Sequence, residues 1–225
     1  HFFFFFFTVQ HEHVKRVAEL IIERKLPITW MAMTRADALV KKETSSDDFA
    51  SERALLQLLK QSGCVGFAIG VETGDPELIE LIDKKLDFGL LKKSTELLKQ
   101  VGIPVKYFLM VGLPGQDDTS MQHTIRVIEE NKPDTINVTV LKPLPGSDLF
   151  ALWVAIKLAE IGKPDDYKIS QEEALSLWEK IKSNPAYKKE IVDNIEQLPN
   201  LEQYWEELMF EEEPGLKGTF SKDKL

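Results

Sequence analysis

Along the first 150 residues the hydrophobic pattern switches repeatedly between two periods. Residues 2–9, 28–34, 65–71, 105–111 and 135–141 are short apolar runs bounded by Pro, Gly or polar clusters, and each predicts a strand. Between them the spacing turns helical. Residues 11–24 place Val14, Val17, Ala18, Ile21 and Ile22 on one face, and residues 51–61 do the same with Leu55, Leu56, Leu58 and Leu59. Asp75 and Pro76 open a short helix as N-cap and first-turn proline, and further helices are expected at 89–100 and 117–131. Strands separated by helices of this length imply βαβ units and a parallel sheet. Five strands predict an α/β fold with a partial parallel (β/α) barrel rather than a closed eight-stranded one.

The pattern changes after Pro145 and Gly146. Helices are expected at 148–161, 170–183, 186–197 and 201–212, with Ser170 and Glu173 at capping-box spacing and a loose polar tail at 215–225. Apolar faces such as Leu175, Trp178 and Ile181, or Trp205, Leu208 and Met209, read as core packing. The expected organisation is therefore a partial barrel over 1–150 and a helical extension over 151–225. Polar residues 41–48 (KKETSSDD) read as a mobile connection.

With 225 residues, 43% hydrophobic, the chain is long enough for one sizeable core. A net charge of −9 argues against a protein that lives mainly on nucleic-acid phosphates. No apolar run reaches the length of a membrane span and no signal-peptide pattern is present, so the expected location is the cytoplasm. One cysteine, Cys64, excludes an intrachain disulfide and any all-cysteine metal site made by this chain alone. His1 and the six phenylalanines that follow leave two readings open, a buried strand of uniform composition or an altered terminus.

Chemistry is sought where parallel strands end, because ligands sit at their C-terminal edge. Residues 105–115 (VKYFLMVGLPG) run from an apolar strand into Gly112, Leu113, Pro114 and Gly115, a loop that lets a ligand approach the backbone closely. Glu72 and Thr73 follow the apolar run that ends at Val71, and Arg35 occupies the matching place after the preceding strand. A carboxylate at such an edge can accept hydrogen bonds from ribose hydroxyls or an ammonium group, or it can simply pair with Lys84, Lys85 or Arg35. An arginine facing it across a cavity mouth would suit a zwitterionic ligand. His11, Glu12 and His13 do not share a helix face suited to a metal, and they read as solvated, as does His123. Cys64 reads as a buried small hydrophobe. No metal ligands are assigned.

Four segments together resemble the radical S-adenosylmethionine (SAM) superfamily, most closely its cobalamin-binding branch. They are WMAMTRAD at 30–37, LLKQSGCVGFAIGVETGDPELIELIDK at 58–84, GIPVKYFLMVGLPGQ at 102–116 and TIRVIEENKPDTINVTVLKPLPGSDLF at 124–150. The resemblance implies a partial (β/α) TIM-like barrel of which this chain holds strands two to six. It also implies a [4Fe–4S] cluster held by a CxxxCxxC loop after the first strand, and SAM bound at the open iron position. Reductive cleavage of SAM then serves hydrogen abstraction or methyl transfer. Cobalamin is a further cofactor candidate, and an electron donor and a small-molecule substrate are the implied partners. The SAM-facing positions it implies here are Arg35, Glu72, Thr73 and the loop Gly112, Leu113, Pro114 and Gly115, with Tyr107 and Met110 as candidates for the strand interior, depending on register.

The sequence departs from that pattern in lacking the first strand and the CxxxCxxC loop, so the chain alone is expected to be inactive. Two readings stay open: part of a radical SAM oxidoreductase or transferase whose cluster-binding segment lies outside this sequence, or a clusterless barrel acting as a binding or scaffold protein. An unrelated phosphate-binding barrel is disfavoured, because GLPGQDD sets two acids beside the glycine loop.

Overall fold

Five parallel strands pair in the order of the chain, β1 (Phe2–Phe4), β2 (Trp30–Thr34), β3 (Cys64–Glu72), β4 (Val105–Val111) and β5 (Thr135–Val140). The computed structural model describes residues 2–4, 10–40, 49–164 and 167–198. Parts of the expected first strand, the polar stretch 41–48, the helix 201–212 and the tail 215–225 lie outside the described residues.

Helices fill every connection. They are α1 (His11–Glu23), α2 (Ala36–Leu39), α3 (Ala50–Gln61), α4 (Pro76–Leu81), α5 (Phe88–Val101) and α6 (Asp118–Asn131). The one-turn α2 escaped the sequence pattern because four residues are too few to show a period. Sequence-order pairing with helical crossovers is the arrangement of a partial (β/α) barrel.

The chain divides into two compact units, His1–Leu141 and Lys142–Leu225. In the second, α7 (Asp148–Glu160), α8 (Gln171–Ser183) and α9 (Pro185–Asp193) are followed by a 3-10 turn, Ile195–Gln197. Phe150, Val154 and Leu198 form its core. Ser170 and Glu173 make the expected capping box at α8, and Asn184 caps α9 with Pro185 at its first position.

Register fixes what each face of the sheet in the first unit carries. Ala32 pairs with Phe67, Ile69 with Tyr107 and Tyr107 with Ile136, so these side chains share one face. Trp30, Ala32, Phe67, Ile69, Val105, Tyr107 and Leu109 form a buried layer with helix residues Val14, Ala18, Leu56, Leu59, Leu91 and Leu98. Tyr107 is fully buried and hydrogen-bonds Thr95 of α5 at 2.5 Å; burial, opposed by that bond, pushes its hydroxyl up to about 12. It therefore belongs to the helix-facing core. Met110, three residues on, lies on the opposite face, as the two-residue period of a strand requires. That face also carries Met31, Met33, Ala68, Gly70, Lys106 and Phe108, with Asn137 and Thr139 exposed on β5.

Cys64, at the N-terminal end of β3, is 5% exposed, and burial pushes its thiol up to about 12. At pH 8 such a thiol carries ~10³-fold less thiolate than a free cysteine. Iodoacetamide should modify Cys64 slowly in the folded chain and rapidly in denaturant; equal rates in both would contradict its burial.

Helix α6 rests directly on the turn after β3. A Cβ added to Gly74 would lie 2.6 Å from Cα of Thr124 and 2.7 Å from the His123 carbonyl oxygen, contacts that backbone cannot relieve cheaply. Gly74→Ala should cost ~1–3 kcal/mol. A urea titration would show this as a lower midpoint with an unchanged slope; an unchanged midpoint would mean that α6 and the turn do not touch.

Candidate functional site

In a parallel sheet all strand C-termini lie along one edge, so the segments after β2, β3 and β4 meet there. Arg35 follows β2. Its guanidinium pairs bidentately with Asp37, at 2.9 Å from Nε and 2.6 Å from Nη2, and Nη2 also reaches the Lys85 carbonyl at 3.4 Å. The hydrogen bond from Arg35 holds the Asp37 carboxyl below its usual range, with burial opposing. The pair is local and largely exposed, and the carboxylate that Arg35 meets is that of Asp37 rather than Glu72.

Glu72 ends β3 at a register irregularity between Gly70 and Glu72. Its φ is +66°, in the left-handed region that a side chain with a Cβ enters at a cost of ~1–3 kcal/mol. Oε1 accepts a hydrogen bond from Nζ of Lys84 at 2.5 Å, with the two side chains only 19% and 25% exposed. The pair lies over Gly70: a Cβ there would come within 2.9 Å of the carboxylate and 3.1 Å of the ammonium. This places Glu72 and Lys84 on the sheet face opposite the helix-packed core.

Lys84 is delivered by the tight connection between α4 and α5, in which Asp83 has a φ of +54° and the Lys84 amide donates to the Ile79 carbonyl. The same residue borders a cavity of about 870 Å³ lined also by Asp37, Ile79, Lys85, Leu86 and Phe88. Glu72 does not line that cavity, so Lys84 is what joins the two.

Thr73 is fully buried and its hydroxyl is committed within the fold. Oγ1 sits 3.2 Å from Oγ1 of Thr124 and accepts from the Asp75 amide at 3.2 Å. The Gly74 amide donates to Thr124 Oγ1 at 2.8 Å. Asp75 caps α4 by accepting from the Glu77 and Leu78 amides, and its other oxygen meets Nδ1 of His123 at 2.7 Å. Burial works to raise the Asp75 carboxyl, but the Leu78 amide, His123 and the Glu77 amide together hold it below its usual range.

The glycine loop after β4 is a tight turn. Gly112 and Gly115 have φ of +84° and +80°, Leu113 is buried, and the Gln116 amide donates to the Leu113 carbonyl. The Gly112 amide donates to Oε1 of Gln116 at 2.6 Å, which leaves Nε2 of the same side chain buried with no partner among the described residues. An orphaned donor beside an exposed glycine is where a ligand acceptor fits. Asp117 and Ser120 then form a capping box that starts α6.

The sequence pointed to Glu72, Thr73, Arg35 and the glycine loop, and the fold brings all four to one edge. It did not point to Gln116, Thr124 or Asp75 as site residues, and His123, half-exposed on the surface, is also paired with Asp75. His11 likewise reaches the Ala38 carbonyl at 2.7 Å from Nε2. Only the i, i+2 and i+3 spacing of Asp75 to the α4 amides was readable; contacts to α6, some 50 residues away, leave no local signature.

Known proteins bear on this site. The anaerobic magnesium-protoporphyrin IX monomethyl ester cyclase of Rubrivivax gelatinosus is 23% identical over 138 residues, which is 61% of this chain and 23% of the cyclase. The tRNA uridine(34) acetyltransferase of Methanocaldococcus jannaschii is 33% identical over 94 residues, 40% of this chain and 17% of that protein. This chain thus spans less than a quarter of the length of either curated relative. Among solved structures, the radical S-adenosylmethionine methyltransferase TsrM from Kitasatospora setae, with cobalamin and a [4Fe–4S] cluster bound, superposes with a TM-score of 0.51 at 16% identity. The overlap covers 70% of this chain and 30% of TsrM, and it speaks for the fold alone. The sequence profile of the Radical SAM superfamily matches residues 6–128, and these residues hold β2, β3 and β4, the Glu72–Lys84 pair and the glycine loop. More than half of the chain is matched, and the protein belongs to the radical SAM superfamily.

Proposed function

We propose that this chain forms the SAM-binding part of a radical SAM enzyme acting on a small-molecule substrate, by radical chemistry or methyl transfer. The observation that carries it is the Glu72–Lys84 pair, held by a left-handed backbone at the C-terminal end of β3 and seated over Gly70.

SAM presents a ribose diol, an amino-acid zwitterion and an adenine, and the residues at this edge fit such a ligand. The Glu72 carboxylate has the acceptor geometry for a diol, Lys84 is a cation for a carboxylate, and Nε2 of Gln116 is an unused donor beside the Gly112 turn. Arg35 and Thr73 serve the frame in this reading, Arg35 through Asp37 and the Lys85 carbonyl, Thr73 through Thr124.

SAM supplies the group that reacts; the chain binds it, orients it and walls it off. The residues present do not fit a [4Fe–4S] cluster. Cys64 is the chain's only cysteine, and it is buried at the N-terminal end of β3, away from the edge that carries Glu72. In this reading the cluster ligands and the contact for an electron donor lie outside this sequence, and no step is assigned to the cluster here. Cobalamin is a candidate through the resemblance to the cobalamin-binding branch and through TsrM, and no described residue of this chain is assigned to it.

Glu72→Gln in the full-length protein should weaken SAM binding by ~10–100-fold, the worth of a charge-assisted hydrogen bond lost. Thermal stability should stay nearly unchanged, because Lys84 retains access to water. Calorimetric titration with SAM alongside a melting curve tests both. Unchanged affinity with a large drop in melting temperature would make the pair a rim salt bridge and overturn the proposal.

A further inference from the structure

We infer that Thr124 and His123 of α6 are positioning residues that hold the Glu72 carboxylate in its binding pose. This rests on the reading of Glu72 as a ligand contact and extends it to residues 50 positions away in the chain.

A side chain in the left-handed region stays there only when its neighbours over-determine it. Its own strand supplies part of that support: the ladder breaks after Gly70 and resumes with Glu72 opposite Leu109, where the strand ends. The rest comes from the three residues that follow, each fastened to one turn of α6. Thr73 and Thr124 share a hydroxyl contact, the Gly74 amide donates to Thr124 Oγ1, and Asp75 meets His123 Nδ1.

The hydroxyl bonds form one consistent chain. Thr124 donates to the Ser120 carbonyl at 3.1 Å, which leaves its oxygen free to accept from Gly74 and Thr73. Thr73 in turn accepts from the Asp75 amide. Gly74 leaves no slack, because its Cα lies against the α6 backbone. Asp75 is fixed on both oxygens, one by the α4 amides and one by the imidazole. A seam in which the Thr73, Thr124 and Asp75 side-chain oxygens all have partners, and in which Gly74 has no room for a Cβ, defines where Glu72 points.

A residue that only held the fold together would lower stability and leave affinity alone, whereas a positioning residue acts through Glu72. The two are separated by a double-mutant cycle on SAM affinity in the full-length protein. Thr124→Val should weaken SAM binding at least tenfold, and Thr124→Ser, which keeps the hydroxyl, should restore it to within about twofold. In a Glu72→Gln background, Thr124→Val should cost no more than about twofold. His123→Ala tests the other fastening at a half-exposed position that tolerates truncation, and it should show the same dependence on Glu72 with a smaller loss.

If Glu72→Gln weakens binding while Thr124→Val and His123→Ala leave it intact, or weaken it equally in both backgrounds, the positioning role falls and Glu72 stands. If Glu72→Gln itself leaves SAM affinity unchanged, the ligand reading and the positioning role fall together. A Thr124→Val protein that does not fold leaves the decision to His123→Ala and Thr124→Ser in the same cycle.

Discussion

One-sided burial of the parallel sheet governs the first unit. Trp30, Phe67, Ile69, Val105, Tyr107 and Leu109 meet the apolar stripes of the helices, and strand alternation then forces Met33, Gly70, Lys106, Phe108 and Met110 to the opposite face. A register slip of one residue would exchange the two sets, sending Tyr107 away from Thr95 and Lys106 into the helix layer. The buried Tyr107–Thr95 bond is therefore a register pin as well as a satisfied polar pair. What faces the candidate site follows from what the helices require on the other side.

The strand C-termini show how polar groups divide between frame and function. Thr73, Thr124 and Asp75 are buried, and each oxygen that bears on the loop has a partner inside the fold. Among the described residues the Glu72 and Lys84 side chains are partnered only with each other across a half-buried pair, and Nε2 of Gln116 has no partner. A partly desolvated ion pair brings little net stability, because attraction is offset by lost hydration. The strained backbone of Glu72 adds to that cost. Such an arrangement is poorly explained by stability and well explained by a ligand that takes over both partners.

Fold and site were legible in the sequence to different depths. Strand and helix positions followed from local period, and the caps at Asp75 and Ser170 from local spacing, since both are set by residues within a turn of each other. The edge on which Glu72 and the glycine loop converge followed from the parallel order. Hidden from the sequence were Thr124 and His123, whose partners lie about 50 residues earlier and so leave no local signature. Tyr107 and Met110 were candidates for one interior, yet a separation of three residues in a regular strand puts them on opposite faces. Lys84 was named as one of three cations able to meet Glu72; choosing among them needed the left-handed turn at Asp83 that turns it over Gly70.

Helix α6 ties these observations together. It begins in the capping box that closes the glycine loop, and one turn later it fastens the segment that follows Glu72. Ser120 belongs to both events: its side chain and amide engage Asp117, and its carbonyl accepts from Thr124. In the proposed reading, a ligand that settles Gln116 and the Gly112 turn acts on the first turn of the helix that sets Glu72, through covalent and hydrogen-bonded links. Two half-sites joined by one helical turn would lose less freedom on binding than two independent loops. That economy explains why the carboxylate can sit on strained backbone at the end of β3: the helix that holds it there is anchored in the other half of the same site.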